Sequence, residues 1–359
     1  MRRVLLLDSS FAVAPMFNKL SEQFEAYSIG SNHIINDPVG GSNHIDVNYA
    51  EAEVVKEIIG RFKIDSVLPG CTDTSLTTFG KISFAHSDNI QKTNDKLEFS
   101  NFCSMHGLPH PKMLDEISNS DYPIIVKPSD CFSGVGVSVV DYPEKLNQAL
   151  TWAQRCSPTN KTIVQPFIAG QLYSASVFFN DSEVRYCVVK ENSHVDSFSV
   201  DESYVVQLPG ATEKKLQVLF AKIFRILGKH QRFFHIQFIL KGSKIFLIEL
   251  MLRCPGDLYG RLVELSTNFD YFGNYVKAYI DSYRLSENFP KAALKIKRVT
   301  YKVKPGQVIP RIAKSSERIE FHQTRPFNEK NSSSKSIRYG VAFLKKPILC
   351  DDKRDVMNG

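Results

Sequence analysis

Apolar and polar positions in the first ninety residues switch between a strand-like and a helical period. Val4 to Leu7 is a continuous apolar run of strand length; Ala26 to Ile29 and Ser66 to Leu68 are shorter ones. Ala14 to Phe24 and Ala52 to Phe62 carry apolar residues at helical spacing. Strands separated by helices predict βαβ units and a parallel sheet with right-handed crossovers. The turn after the first strand, Asp8-Ser9-Ser10-Phe11, lacks G-x-G-x-x-G, so NAD is not expected. Ligands in such sheets gather beyond the carboxyl ends of the strands, which puts Asp8, Ser9, Gly70, Thr72 and Asp73 near a possible substrate edge. Helix capping and turn formation account for the same residue types.

Asn94 or Asp95 can cap a helix carrying Leu97, Phe99, Phe102, Cys103 and Met105, which stops at Gly107 ahead of Pro109 and Pro111. Ile124 to Val126 then reads as a strand closed by Lys127-Pro128, and Val137 to Val140 as its return. Between them, Ser129 to Gly136 is small and polar with two glycines, a tip that can fold over phosphates through backbone N–H groups while Lys127 adds a point charge. It is no Walker loop, because no G-K-[ST] ends it; a plain surface hairpin fits the same pattern. A helix around Pro143 to Gln154 precedes TIVQPFIAGQLYSASVFF, two strands joined by a connector in which Phe167 and Ile168 could wall a purine ring. Thr212 to Leu227 is an amphipathic helix with Thr212 as its cap. From Ala292 to Leu349 the pattern is one of short strands, and Asp351 to Gly359 should fray.

Phe233 to Gly260 holds the densest chemistry. Two apolar runs flank Lys241-Gly242-Ser243-Lys244, a hairpin with a four-residue loop, and Glu249, Arg253, Asp257 and Arg261 follow in quick succession. Glu249 sits among Ile245, Phe246, Leu247, Ile248 and Leu250, where an ionised carboxylate needs a cation. Mg²⁺ on a nucleotide would serve, and so would an ion pair with Arg253.

Composition narrows the class. At 359 residues the chain should divide into two or three packed units, and 43% hydrophobic with 23% charged residues is ordinary for a globular protein. No apolar run approaches a membrane span, so no membrane partner is expected; the short apolar run near the N-terminus is broken by Asp8 and reads as a strand rather than a signal peptide. Seven scattered cysteines without a CxxC pair point to reduced thiols in the cytoplasm. The net charge of +7 is dispersed along the chain, which suits nucleotide phosphates and needs no nucleic-acid partner.

The order Asp95-Lys96, YPIIVKP with a glycine loop, VQPFIAG, and a hairpin ending in IELMLRCPGD resembles the ATP-grasp superfamily of carboxylate-amine ligases, and its ending looks most like the L-amino-acid ligase branch. The resemblance implies an α/β and α+β multidomain fold: a Rossmann-like domain at 1–90, a linking helix at 91–118, a small ATP-grasp lobe at 119–190, a large lobe at 191–290, and a small β-rich C-terminal subdomain at 291–359. It implies ATP and Mg²⁺ as cofactors, and small-molecule acid and amine substrates; a homodimer is the candidate assembly. Lys96 and Lys127 match the nucleotide-phosphate lysines. Ser133, Gly134 and Gly136 belong to the loop that closes over the triphosphate. Gln165 stands where many members meet the adenine amino group, with Phe167 and Ile168 beside it. Glu249 matches the main magnesium ligand, and Arg253 the arginine that stabilises the transferred phosphoryl group. Asp257 could hold a substrate ammonium group, or cap a helix; Arg261 or Lys190 could hold a substrate carboxylate.

Three departures stand out. Gln237 occupies the place of the first metal carboxylate, Met251 that of a metal-binding asparagine, and Leu172 that of a ribose-binding glutamate. They leave a single Mg²⁺ or a catalytically degenerate nucleotide-binding protein as alternatives, alongside an ATP-grasp carboxylase or purine-pathway ligase.

Overall fold

The protein is described by a computed structural model over residues 1–31, 39–93, 95–131, 134–180, 183–193, 198–228, 230–280, 294–312, 315–333 and 335–345. The first strands and helices are β1 (Arg3–Leu7), α1 (Ala14–Ser21), β2 (Glu25–Gly30), β3 (His44–Asp46), α2 (Ala52–Phe62) and β4 (Ser66–Pro69). The four strands form a parallel sheet in the order β3-β2-β1-β4. Val4 to Leu7 are fully buried, as a parallel strand covered on both faces requires. The buried Asp8 carboxylate accepts backbone N–H bonds from Ser10 (2.9 Å) and Cys71 (3.0 Å), joining the carboxyl ends of β1 and β4. Thr72 caps α3 (Asp73–Ile82) through the Ser75 N–H. Then come α4 (Phe84–Thr93) and α5 (Lys96–Met105); Asp95 is the cap of α5, accepting from the Glu98 N–H at 2.7 Å.

A small antiparallel sheet follows, built from β5 (Ile124–Pro128), β6 (Ser138–Val140) and β7 (Thr162–Pro166) in the order β6-β5-β7, with α6 (Leu146–Cys156) packed on it through Ala149 and Ala153. The remaining strands are β8 (Gln171–Asn180), β9 (Glu183–Ser193), β10 (Val200–Val206), β11 (Phe233–Lys241), β12 (Lys244–Met251), β13 (Ile296–Val303), β14 (Arg318–Gln323) and β15 (Ile337–Lys345). They make one eight-stranded sheet, β12-β11-β8-β9-β10-β13-β15-β14. One face is covered by α7 (Gly210–Leu227), where Phe220 meets Phe234 and Phe238. Part of the other is covered by α8 (Tyr259–Thr267) and α9 (Tyr271–Tyr279), with Tyr271 and Tyr275 against Phe233. The uncovered part of that second face carries the polar side chains described below.

The mixed α/β fold expected from the motif order, a parallel sheet at the N-terminus followed by antiparallel sheets, is the one observed. Sheet membership differs from the sequence expectation at two places. β8 and β9 were expected with the small lobe at 119–190; they pair in the large sheet, because Gly170 brings β8 in against Ile239 and Leu240 of β11. The C-terminal strands continue the same sheet through the β10–β13 pairing. The β11–β12 turn is tighter than expected: Lys241 pairs with Lys244, leaving a two-residue loop in which Gly242 takes φ 58°, a value glycine adopts without penalty. α7 begins at Gly210, ahead of the expected cap Thr212. Among the described residues, no helix is long and apolar enough to cross a membrane.

Candidate active site

Lys96 is the first residue of α5, and the Asp95 cap fixes its direction. Its N–H donates to Ser129 O (2.8 Å), and its Nζ donates to Cys131 O (2.6 Å) and lies 3.4 Å from Glu249 Oε1. Lys127 ends β5 and is buried; its Nζ donates to Gln165 Oε1 at 3.2 Å. Burial, reinforced by the charge of Lys96 and opposed by Glu249, pulls its pKa down to about 8. Two neighbouring lysines thus face one partly exposed carboxylate, and the excess of positive charge suits a polyanion.

Lys127 supports a prediction. The unfolded chain keeps this proton up to about pH 10.4 whereas the folded chain releases it near 8, so native stability should rise with pH across that window, by at most about 1.4 kcal/mol per pH unit. Bound phosphates restore the charged form. ATP binding at pH 8 should therefore take up about half a proton, read by calorimetry in two buffers of different ionisation heat. Absence of uptake would mean that the phosphates do not reach Lys127.

The loop that follows Lys127 contains Gly134 and Gly136 with φ of 72° and 76°, and Ser133 lies outside the described residues. A Cβ at Gly136 would come to 2.5 Å from Pro128 Cγ and 2.8 Å from Cys156 Cβ; one at Gly134 would press on Phe198. Gly136→Ala should cost about 2 kcal/mol in denaturant unfolding, from the left-handed backbone and the crowding together. An unchanged midpoint would show that the loop can rearrange freely.

Gln165, expected to meet an adenine amino group, is held at both ends of its amide: its Nε2 donates to Pro111 O at 2.7 Å while its Oε1 accepts from Lys127. Phe167 and Ile168 are half-buried beyond β7, and the Phe167 N–H donates to Pro123 O. Gln237 stands directly opposite Glu249 in the β11–β12 pair. The ion pair with Arg253 considered for Glu249 does not form; Lys96 supplies the cation instead. Met251 lies opposite His235, whose ring is buried beside Tyr259 and held neutral, its pKa lowered by burial to about 3.

These residues fit Mg²⁺ modestly. Glu249 and the Gln237 carbonyl are hard oxygen donors, and the thioether of Met251 is a poor one. Among the described residues, no group of three His, Cys, Asp or Glu side chains is placed to hold a metal by itself, so nucleotide oxygens would have to complete the coordination.

The other expected substrate residues are drawn elsewhere. Arg253 is buried, with Nε and Nη2 donating to Asp73 Oδ1 (2.8 and 2.6 Å) and Nη1 to the carbonyls of Cys71 and Cys254. It therefore clamps the sheet hairpin to the carboxyl edge of the N-terminal sheet. Asp257 Oδ1 accepts the Tyr259 N–H ahead of α8, whose cap position is Leu258, and Oδ2 lies 3.3 Å from Arg298 Nη2. Arg261 has its guanidinium bonded to protein carboxylates, Glu320 of β14 and Glu264. Lys190 is also corrected. It pairs with Tyr173, which stacks on Phe238, so it lies on the α7 side of the sheet, opposite to Glu191.

Two residues were missed. Glu191 is buried, accepts from Ser174 Oγ (2.5 Å) and Gln237 Nε2 (2.8 Å), and has its pKa raised by burial to about 7. Arg298 is fully buried on the same face, donating to Ser203 Oγ (2.8 Å) and Thr300 Oγ1 (3.0 Å). The period-2 pattern through Cys187, Val189 and Glu191 was the signal that could have found the first.

Residues 93–256 match the ATP-grasp domain family. That stretch is similar to an ATP-grasp domain. The matched stretch holds Lys96, Lys127, the glycine loop, Gln165, Gln237, Glu249 and Arg253, so the resemblance read from the motif order stands. Among curated relatives, the multifunctional protein pyr1-3 of Dictyostelium discoideum is 28% identical over 188 residues, covering 48% of this chain and 8% of that protein. The D-alanine–D-alanine ligase of Sulfurimonas denitrificans is 27% identical over 172 residues, covering 45% of this chain and 47% of the ligase. The match therefore spans about half the length of that ligase and under a tenth of the first. In fold, the chain is similar to an L-amino acid ligase from Bacillus licheniformis, with a TM-score of 0.75 at 15% identity over 96% of this chain and 93% of that one.

Proposed function

We propose that the protein is an ATP-dependent ligase that activates a small carboxylic acid, an amino acid or related acid, as acyl-phosphate and joins it to an amine, releasing ADP and phosphate. The observation that carries this reading is the meeting of Lys96, Lys127 and Glu249, with Lys96 also bonded to Cys131 ahead of the glycine loop, inside the stretch that matches the ATP-grasp family. A carboxylate resists attack by amines because oxide is a poor leaving group, and a phosphoryl group supplies a better one. Phosphoryl transfer asks the protein mainly for positioning and charge neutralisation. Lys96 and Lys127 would hold the nucleotide phosphates, and Phe167 with Ile168 would wall the purine. Mg²⁺, held by Glu249 and the Gln237 carbonyl with nucleotide oxygens, would neutralise phosphate charge. The loop through Gly134 and Gly136 would keep water from the activated acid. We place the acid and amine near Asp73 and Asp257, with Arg298 supporting Asp257.

The test is a product analysis with ATP, Mg²⁺ and pooled amino acids. The reading requires ADP, phosphate and a conjugate lighter than its parts by one water; AMP with pyrophosphate excludes it. A second reading, nucleotide binding without catalysis, is favoured by Gln237 and Met251 at the cation site. Stabilisation by ATP with no turnover on any acid and amine pool would select it.

A further inference from the structure

Gln237 faces Glu249 across β11–β12 and Ser174 across β11–β8, so the three side chains share one face of the large sheet. Glu191 reaches the same row from β9. Its Oε1 accepts from Ser174 Oγ at 2.5 Å, and its Oε2 accepts from Gln237 Nε2 at 2.8 Å. An ionised carboxylate only accepts, so with Glu191 charged the bond to its oxygen sets which way the Gln237 amide lies. Its nitrogen is turned to Glu191, and its carbonyl oxygen is the end left for another partner.

We propose that Glu191 is a positioning residue for the cation: it locks the Gln237 amide with the oxygen presented beside Glu249. This inference rests on the ligase reading, in which the cation accompanies the nucleotide. It also explains the residue at 237. A carboxylate there would meet that of Glu191 at hydrogen-bond distance, and like charges so close cannot both stay ionised. Gln237 and Glu191 are thus a matched pair, with the negative charge moved from β11 to β9 and the oxygen donor retained. Partners of this kind behind metal ligands contribute through orientation as well as charge.

The experiment uses the full chain, Mn²⁺ as a spectroscopic stand-in for Mg²⁺, and a non-hydrolysable ATP analogue. Electron paramagnetic resonance counts free Mn²⁺, and thermal melting reports folding. Glu191→Gln should weaken Mn²⁺ binding at least about 10-fold while the nucleotide analogue still binds. The exchange E191Q/Q237E, which restores one amide-to-carboxylate bond in the reverse sense, should return Mn²⁺ affinity to the wild-type range or tighten it. Because the exchange also adds a carboxylate beside Glu249, Q237E alone is the control: with two carboxylates facing each other it should bind Mn²⁺ more weakly than the exchange, and equal binding by the two would show that residue 191 does not matter. Unchanged Mn²⁺ affinity in folded E191Q overturns the proposal. If E191Q does not fold, the exchange variant compared with Q237E decides, and weak Mn²⁺ binding by the exchange overturns the proposal equally. Failure of the wild-type chain to bind Mn²⁺ with the analogue would instead remove the ligase reading and this inference with it.

Discussion

Glu249→Gln should lower turnover by about 10³-fold, the scale on which loss of one preorganised electrostatic group is felt in phosphoryl and acyl chemistry. The substitution keeps shape and volume and removes only the charge. Glu249 is the carboxylate beside Lys96, and its side chain retains 29% of its exposure, so the apo protein should lose no more than about 1 kcal/mol of stability. Turnover and denaturant midpoint measured on one preparation separate the two effects. A variant that unfolds would make Glu249 a structural residue. One that turns over normally would remove it from the cation site altogether.

Arg253→Leu should destabilise the protein by about 3 kcal/mol, near the low end for breaking a buried ion pair because Asp73 can still reach water. Four hydrogen bonds are lost, and the Cys71 carbonyl is left without this donor. Arg253→Lys should recover little, since an ammonium cannot reproduce the planar fork that spans Asp73 and two carbonyls. The measurement is the urea midpoint at fixed slope, together with turnover at temperatures where both variants stay folded. A midpoint unchanged in Arg253→Leu would show that the clamp between the hairpin and the N-terminal sheet contributes nothing.

Local chemistry was legible in the sequence wherever it broke a local pattern. Glu249 interrupts an apolar strand, Lys127 closes one, Asp95 starts a helix, and Gly134 and Gly136 take the positive φ expected of a glycine turn. Each of these follows from neighbours a few residues away. The partners were not legible, because they are set by register across distant strands. Arg253 lies 180 residues from Asp73, and Glu191 lies 46 from Gln237. Lys190 and Glu191 illustrate the difficulty: adjacent in sequence, they point to opposite faces, and only the pairing of β8 with β9 says which face holds the site. Arg261 looked like a substrate residue because Glu320, its partner on β14, is 59 residues further on. The C-terminal strands read as a separate unit for the same reason; nothing within them announces that β13 pairs with β10.

The central claim is that a carboxylate oxygen of the acid attacks the γ-phosphorus of ATP. The direct measurement is turnover with an acid labelled with ¹⁸O in both carboxylate positions, followed by mass spectrometry of the released phosphate. Activation as acyl-phosphate predicts that each phosphate carries one ¹⁸O from the acid, while the other remains in the amide. Phosphate free of label, or label recovered in AMP, would contradict it.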